Sequence, residues 1–146
     1  MKQLTIENLC ADGACDEGLD WITPLLMRSR EPGPTAAEWL ARPDYYLWAA
    51  GRGYEVPDLI DACAKQRPGA ALWCAAHLLT PERRDACAVR EPVYALQHAA
   101  RLLTPQRLDW CAEQEPRRAL MYAANLLSPE RINWCAEQVA ASGGKS

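Results

Sequence analysis

PERRDACAVREPVYALQHAARLLT, residues 81–104, is followed directly by PQRLDWCAEQEPRRALMYAANLLS, residues 105–128, and the two align without a gap. A further copy, PERINWCAEQVAA, opens at Pro129, and PDLIDACAKQRPGAALWCAAHLLT precedes the pair from Pro57. The prolines at 57, 81, 105 and 129 mark a period of 24 residues. Repetition at a short fixed period is the mark of a stacked array, in which one unit cannot bury its apolar face without its neighbours.

Each copy encodes two short helices. Thr80, Thr104 and Ser128 stand before the opening prolines; a hydroxyl side chain caps a helix start, and proline fits the first turn, where its missing N–H costs nothing. Glu82 and Glu130 follow at the positive end of the helix dipole. Pro68, Pro92 and Pro116 open the second helix and discourage the residue before them from staying helical. Two helices in this span leave roughly 10 residues each, about 15 Å, too short to persist alone. The expected fold is all-α, a short α-solenoid of 24-residue helical hairpins with an irregular N-terminal helical region.

The expected organisation is an N-terminal segment and loop over 1–34, units near 35–56, 57–80, 81–104 and 105–128, a capping helix over 129–140 and a flexible tail over 141–146. In the N-terminal segment two helices are expected, Thr5 to Ala11 and Glu17 to Arg28, with Pro24 disturbing the second. The unit from 35 is degenerate, its second helix opening at Pro43.

Counted from the proline of the second helix, offsets +3, +4, +7, +8 and +11 hold only Ala and Leu: Ala71, Leu72, Ala75, Ala76 and Leu79 in one copy and their equivalents in the next two. That is a core stripe at helical spacing. In the first helix, offset +6 is Cys63, Cys87, Cys111 and Cys135. One cysteine per unit behaves as a small hydrophobe, whereas structural metal sites use ligand pairs two to four residues apart. Offset +3 joins this stripe through Ile60, Leu108 and Ile132, with Arg84 as the exception. Asp61, Asp85 and Asp109 at +4 and Arg83, Arg107 and Arg131 at +2 suggest a ladder in which the Asp of one copy pairs with the Arg of the next.

Function is sought where the copies disagree. In the second helix these offsets are +2, +5, +6 and +9, which fall within roughly 140° to 240° around a continuous helix, one face. They carry Tyr45, Trp48 and Arg52, then Trp73 and His77, then Tyr94, Gln97, His98 and Arg101, then Arg118, Met121, Tyr122 and Asn125. Trp, Tyr, Met and Arg are the residue types enriched at protein interfaces, so this face is the expected partner-binding surface.

Catalytic and cofactor signatures are missing. No phosphate loop, Gly-x-Ser-x-Gly elbow or His-Glu-x-x-His motif occurs, and Gly51-Arg52-Gly53 lacks the spacing of a nucleotide loop. Cys74, His77 and His98 on adjacent units raise a zinc site or a Cys–His nucleophile, but a fourth ligand is not evident. Glu113, Glu115 and Glu137 read as solvated helix ends. The expectation is a non-enzyme without cofactor or metal.

Composition agrees with a binding module. There are six Trp and five Tyr but no Phe, and the net charge of −3 argues against a phosphate-binding surface. No apolar run of about 18 residues and no signal-peptide core occur, and seven cysteines without an export signal point to reduced thiols in a cytoplasm.

Ala14-Cys15-x-x-Gly18-x-x-Trp21 resembles a short segment of small phage and mobile-element proteins. The resemblance covers about a tenth of the chain, and short motifs are of low specificity. It implies a phage-borne factor that binds a host protein, such as an anti-CRISPR inhibitor of a bacterial defence complex. Two other readings stand beside protein binding. One is a self-associating structural repeat; the other is a nucleic-acid-binding helical repeat using Arg52, Arg101, Arg117 and Arg118.

Overall fold

The computed structural model of the chain describes residues 1–143, and within them the architecture is all-helical, with no strand and one isolated parallel bridge between Lys2 and Tyr54. The helices are α1 (Ile6–Ala11), α2 (Asp16–Leu26), α3 (Ala36–Ala41), α4 (Pro43–Gly51), α5 (Ile60–Gln66), α6 (Pro68–Cys74), α7 (Pro81–Arg90), α8 (Pro92–His98), α9 (Pro105–Gln114), α10 (Pro116–Tyr122) and α11 (Pro129–Ala141). Helices α5, α7, α9 and α11 line up as one layer and α4, α6, α8 and α10 as the other, each packed on its neighbours along the stack. This is the nearest-neighbour arrangement that the repeat demands.

The helix starts follow the capping logic. Thr80, Thr104 and Ser128 side chains accept from the backbone N–H of Arg83, Arg107 and Arg131. Pro43, Pro68, Pro92 and Pro116 occupy the first turn of α4, α6, α8 and α10. The unit from Pro57 departs from the expectation that its proline opens the helix: α5 begins at Ile60. Val56 stands where the other copies have a capping hydroxyl. The Tyr46 hydroxyl substitutes, accepting from Leu59 N–H at 2.8 Å and donating to the Pro57 carbonyl at 2.6 Å.

A second correction concerns α6, α8 and α10, which were expected to run on as continuous helices. Each stops after offset +6; Ala75, Ala99 and Ala123 adopt φ near −130° to −139°, and a 3-10 turn follows at Ala76–Leu78, Ala100–Leu102 and Ala124–Leu126. The break lets the leucine at +11 turn inward, where Leu79 and Leu127 are buried. α4 ends differently. Gly53 takes a left-handed φ of 87°, and the N–H groups of Gly53 and Tyr54 donate to Ala50 and Ala49 in a Schellman closure.

Along the repeats the core is the Ala/Leu stripe plus the cysteines, and at the N-terminal end it continues into Trp39, Tyr46 and Leu47. Ala71, Leu72, Ala95, Leu96 and Ala119 are buried, and so are Cys63, Cys87, Cys111 and Cys135. The Cys87 and Cys135 thiols lie 3.9 and 4.0 Å from the carbonyls of Ala64 and Ala112 in the preceding copy, so the cysteines are joints between units. Burial pushes the Cys63 and Cys111 thiols up to about 11. Arg84, the exception in the apolar stripe, donates at 3.1 Å each to the carbonyls of Ala76, Leu79 and Leu102.

The Asp–Arg ladder is present. Arg83 meets Asp61 and Arg107 meets Asp85, both at 2.6 Å, and Arg131 meets Asp109 at 3.5 Å while also reaching Glu113 at 2.8 Å. Arg107 and Arg131 also lie 5.0 Å above the rings of Trp110 and Trp134. Partly exposed rungs of this kind contribute about 0–1 kcal/mol each, so they set register more than stability.

α1 and α2 fold over the α4 end of the stack. Thr5 and Cys15 cap their starts, and α2 continues through Pro24 to Leu26. The Lys2 N–H donates to Gly53 and its carbonyl accepts from Glu55, which ties the first residues to the loop after α4. Arg28 bridges from the end of α2 to Glu38 at 2.7 Å and to the Gly33 carbonyl at 2.6 Å. The Arg28 guanidinium and the Thr35 N–H hold the Glu38 carboxyl down from 4.5 to about 2. A carboxylate with a lowered folded pKa stabilises above its unfolded value and loses that contribution as pH falls towards the folded one. The urea midpoint is therefore expected to drop between pH 4.5 and about 2, with a shallower drop in Glu38→Gln; equal slopes would show that the pair is not coupled to folding. Ala141 closes α11, one residue past the expected cap, with Ser142 as its C-cap, and residues 144–146 of the expected tail lie outside the described residues. No helix among the described residues is long and apolar enough to cross a membrane.

Candidate partner-binding face and cleft

The second-helix layer presents its variable side chains along α6, α8 and α10. Trp73 at the end of α6 is 64% exposed and stacks on His98 of α8, ring centroids 5.6 Å apart and planes 26° apart. Tyr94, one turn before His98, also lies against that imidazole, centroids 5.9 Å apart and planes tilted by 33°. Its ring leans on Gly69 of α6, where an added Cβ would stand 3.3 Å from it. Glycine at this position thus lets the aromatic pack flat between two units. Burial lowers the His98 pKa, which favours a neutral ring in the stack. Met121 of α10 is 62% exposed, and Gln97 and Arg118 are exposed beside it, with Tyr122 half-buried.

His77, Arg101 and Asn125, at offset +9, are exposed, but they belong to the 3-10 turns and not to the helix face. The angle assigned to them from a continuous helix therefore does not apply. Tyr45 and Trp48 are separated from the row in another way. Tyr45 lies 5.5 Å from Trp21 of α2 and carries the Arg42 guanidinium at 4.6 Å. Trp48 stacks on Tyr54 at 6.1 Å, with Arg52 at 5.4 Å above its ring. The expected single row is thus two features: an open face on α6, α8 and α10, and a roofed end at α4.

Beneath that roof lies a cleft of about 490 Å³. One wall is Ala14, Cys15, Gly18 and Trp21; the other is Tyr45, Trp48, Arg52, Ala70, Trp73 and Cys74, with Asp44 among the lining residues. Each specified residue of the Ala-Cys-x-x-Gly-x-x-Trp segment lines it. Trp73 belongs to both features, joining the cleft to the open face. Sequence reading missed the leucines at offset +10, Leu78, Leu102 and Leu126, which are exposed on the 3-10 turns. The Leu-Leu pair in each of the three full copies was the available signal, since only one of two adjacent residues can enter the core beneath such a turn.

The Cys74, His77 and His98 grouping gains no support as a reactive centre. Burial raises the Cys74 pKa, the reverse of what a nucleophilic thiolate needs, and His98 is engaged with Trp73 and Tyr94. Among the described residues no three His, Cys, Asp or Glu side chains are placed to hold a metal ion. Thiol accessibility divides the cysteines: Cys10 and Cys15 are exposed, Cys74 is half-buried, and Cys63, Cys87, Cys111 and Cys135 are buried. Labelling with an aromatic disulfide and peptide mapping should give fast modification at Cys10 and Cys15 and slower modification at Cys74. The joint cysteines should react only at the rate of unfolding; fast labelling of Cys111 in the native protein would contradict the stacking.

The chain matches no protein-family model, no curated protein and no solved structure.

Proposed function

We propose that the chain is a non-catalytic protein-binding module that docks its partner on the face of α6, α8 and α10. The observation that carries this reading is the set Trp73, Tyr94 and Met121, three large side chains left exposed on three consecutive helices of one layer. Proteins rarely leave such contiguous apolar area open without use. Trp and Tyr are also the anchors that dominate binding energies at interfaces. The stack behind the face supplies rigidity, because each unit is held on both sides by its neighbours.

The test is a crosslinking pull-down from bacterial lysate, comparing the wild type with a Trp73→Ala, Tyr94→Ala, Met121→Ala variant of matched circular dichroism. A partner held by the first and lost by the second supports docking here. Equal capture by both, or capture by neither, counts against it. Light scattering over a concentration series reads out the self-association alternative on the same samples. The narrower proposal, a phage-borne inhibitor of a host defence complex such as an anti-CRISPR, is supported by the resemblance of the segment from Ala14 to Trp21 alone. The site of action that goes with it is the host cytoplasm.

A further inference from the structure

We infer that the partner offers this face an acidic segment with a bulky apolar anchor, an inference that rests on the proposed docking reading. The charge on α6, α8 and α10 is of one sign. Residues 68–79, 92–103 and 116–127, the second helices with their 3-10 turns, contain no Asp or Glu, yet they carry Arg101, Arg117 and Arg118. All three arginines are exposed, and among the described residues none of them enters an ion pair. The carboxylates lie elsewhere: Asp61, Asp85 and Asp109 are engaged in the ladder, and Glu91 and Glu115 sit at the hairpin turns, partly buried. A chain of net charge −3 thus presents, on α6, α8 and α10 with their 3-10 turns, an aromatic face whose formal charges are all positive; in the same layer α4 adds the carboxylate of Asp44. Such a surface attracts an acidic segment and steers its encounter with this face.

An apolar anchor is called for by the rest of the surface. Leu78, Leu102 and Leu126 are exposed along the same layer, and the largely apolar 490 Å³ cleft opens at Trp73, with Asp44 and Arg52 both among its lining residues. This combination favours a protein segment over a single-stranded nucleic acid. The exposed leucines give bases no ring to stack on, which leaves Trp73 and Tyr94 as the exposed rings of this face, and three unpaired arginines are few for a phosphate chain.

The experiment pans a displayed library of random 16-residue peptides against the full chain and measures binding of the selected peptides at two salt concentrations. Selected peptides are expected to combine excess Asp and Glu with Leu, Phe or Trp. Their affinity should fall about tenfold or more in Arg101→Glu, Arg118→Glu and in Trp73→Ala, and should weaken with salt. A milder Arg101→Gln, Arg118→Gln variant guards against misfolding and should lose part of the affinity. Peptides without acidic excess that still depend on Trp73 would overturn the inference and leave the docking reading standing. No selected peptide, or none sensitive to Trp73, would overturn both. Tighter binding of a 20-mer oligo-dT than of any selected peptide, lost in the same arginine variants, would assign the surface to nucleic acid instead.

Discussion

Gly51→Ala is expected to cost about 3 kcal/mol and to lower the melting temperature by about 10 °C. Gly51 closes α4, and a methyl carbon there would overlap the Cys74 carbonyl at the end of α6. The obstacle is backbone, so no side-chain rotation relieves it; α4 and α6 must move apart, disturbing the packing of both. The direction of the effect is diagnostic. Gly51 lies within a helix, where replacing glycine by alanine otherwise gains up to about 1 kcal/mol. Gly53→Ala is the control. Gly53 needs its left-handed φ of 87° but has open space around the missing Cβ, so its cost should stay near 1 kcal/mol, that of a strained backbone. Differential scanning calorimetry of the two variants separates them; a Gly51→Ala protein as stable as wild type would mean that α4 does not seat on the end of α6.

Arg84→Leu is the second large effect, and here the repeat pattern and the structure make opposite demands. Ile60, Leu108 and Ile132 occupy the equivalent offset, so a consensus argument expects leucine to stabilise. The structure places the Arg84 guanidinium on the carbonyls of Ala76, Leu79 and Leu102, which belong to two successive 3-10 turns. Leucine would strip all three of this donor, and the expected loss is about 2–3 kcal/mol. Urea unfolding midpoints decide the matter. A midpoint at or above the wild-type value would show that the apolar stripe, and not the clasp, governs this position.

These two residues show where the sequence was legible and where it was not. The prolines, the capping hydroxyls, the Ala/Leu stripe and the per-unit cysteine all follow from local chemistry repeated three or four times, and the ladder followed from complementary charges at constant offsets. The break after offset +6 was hidden because Ala75 and Ala76 have the strongest helix propensity, so nothing local signals a stop; the demand comes from Leu79, which must reach the core. The late start of α5 depends on Tyr46, 13 residues before Leu59, a contact that no capping rule supplies. Of the candidate face, Trp73, Tyr94 and Met121 were legible as variable positions. The roofing of Tyr45 and Trp48 by α2 was not, since the N-terminal segment has no internal repeat to fix its place.

The ladder also has grammar. Leu59 replaces the arginine at the first copy and Asn133 replaces the aspartate at the last, so Asp61 begins the series and Arg131 completes it. Residues 81–104 and 105–128 each carry both an incoming arginine for the preceding copy and an outgoing aspartate for an identical successor, and 81–104 also has a matching Thr-Pro junction on each side. Duplicating that stretch in tandem should therefore lengthen the protein by one whole hairpin and leave every rung filled, whereas duplicating 57–80 would set Leu59 opposite an unanswered Asp61. Fold and length are written separately in this chain: the period specifies what a unit is, and two uncharged residues mark where its succession of salt links opens and closes.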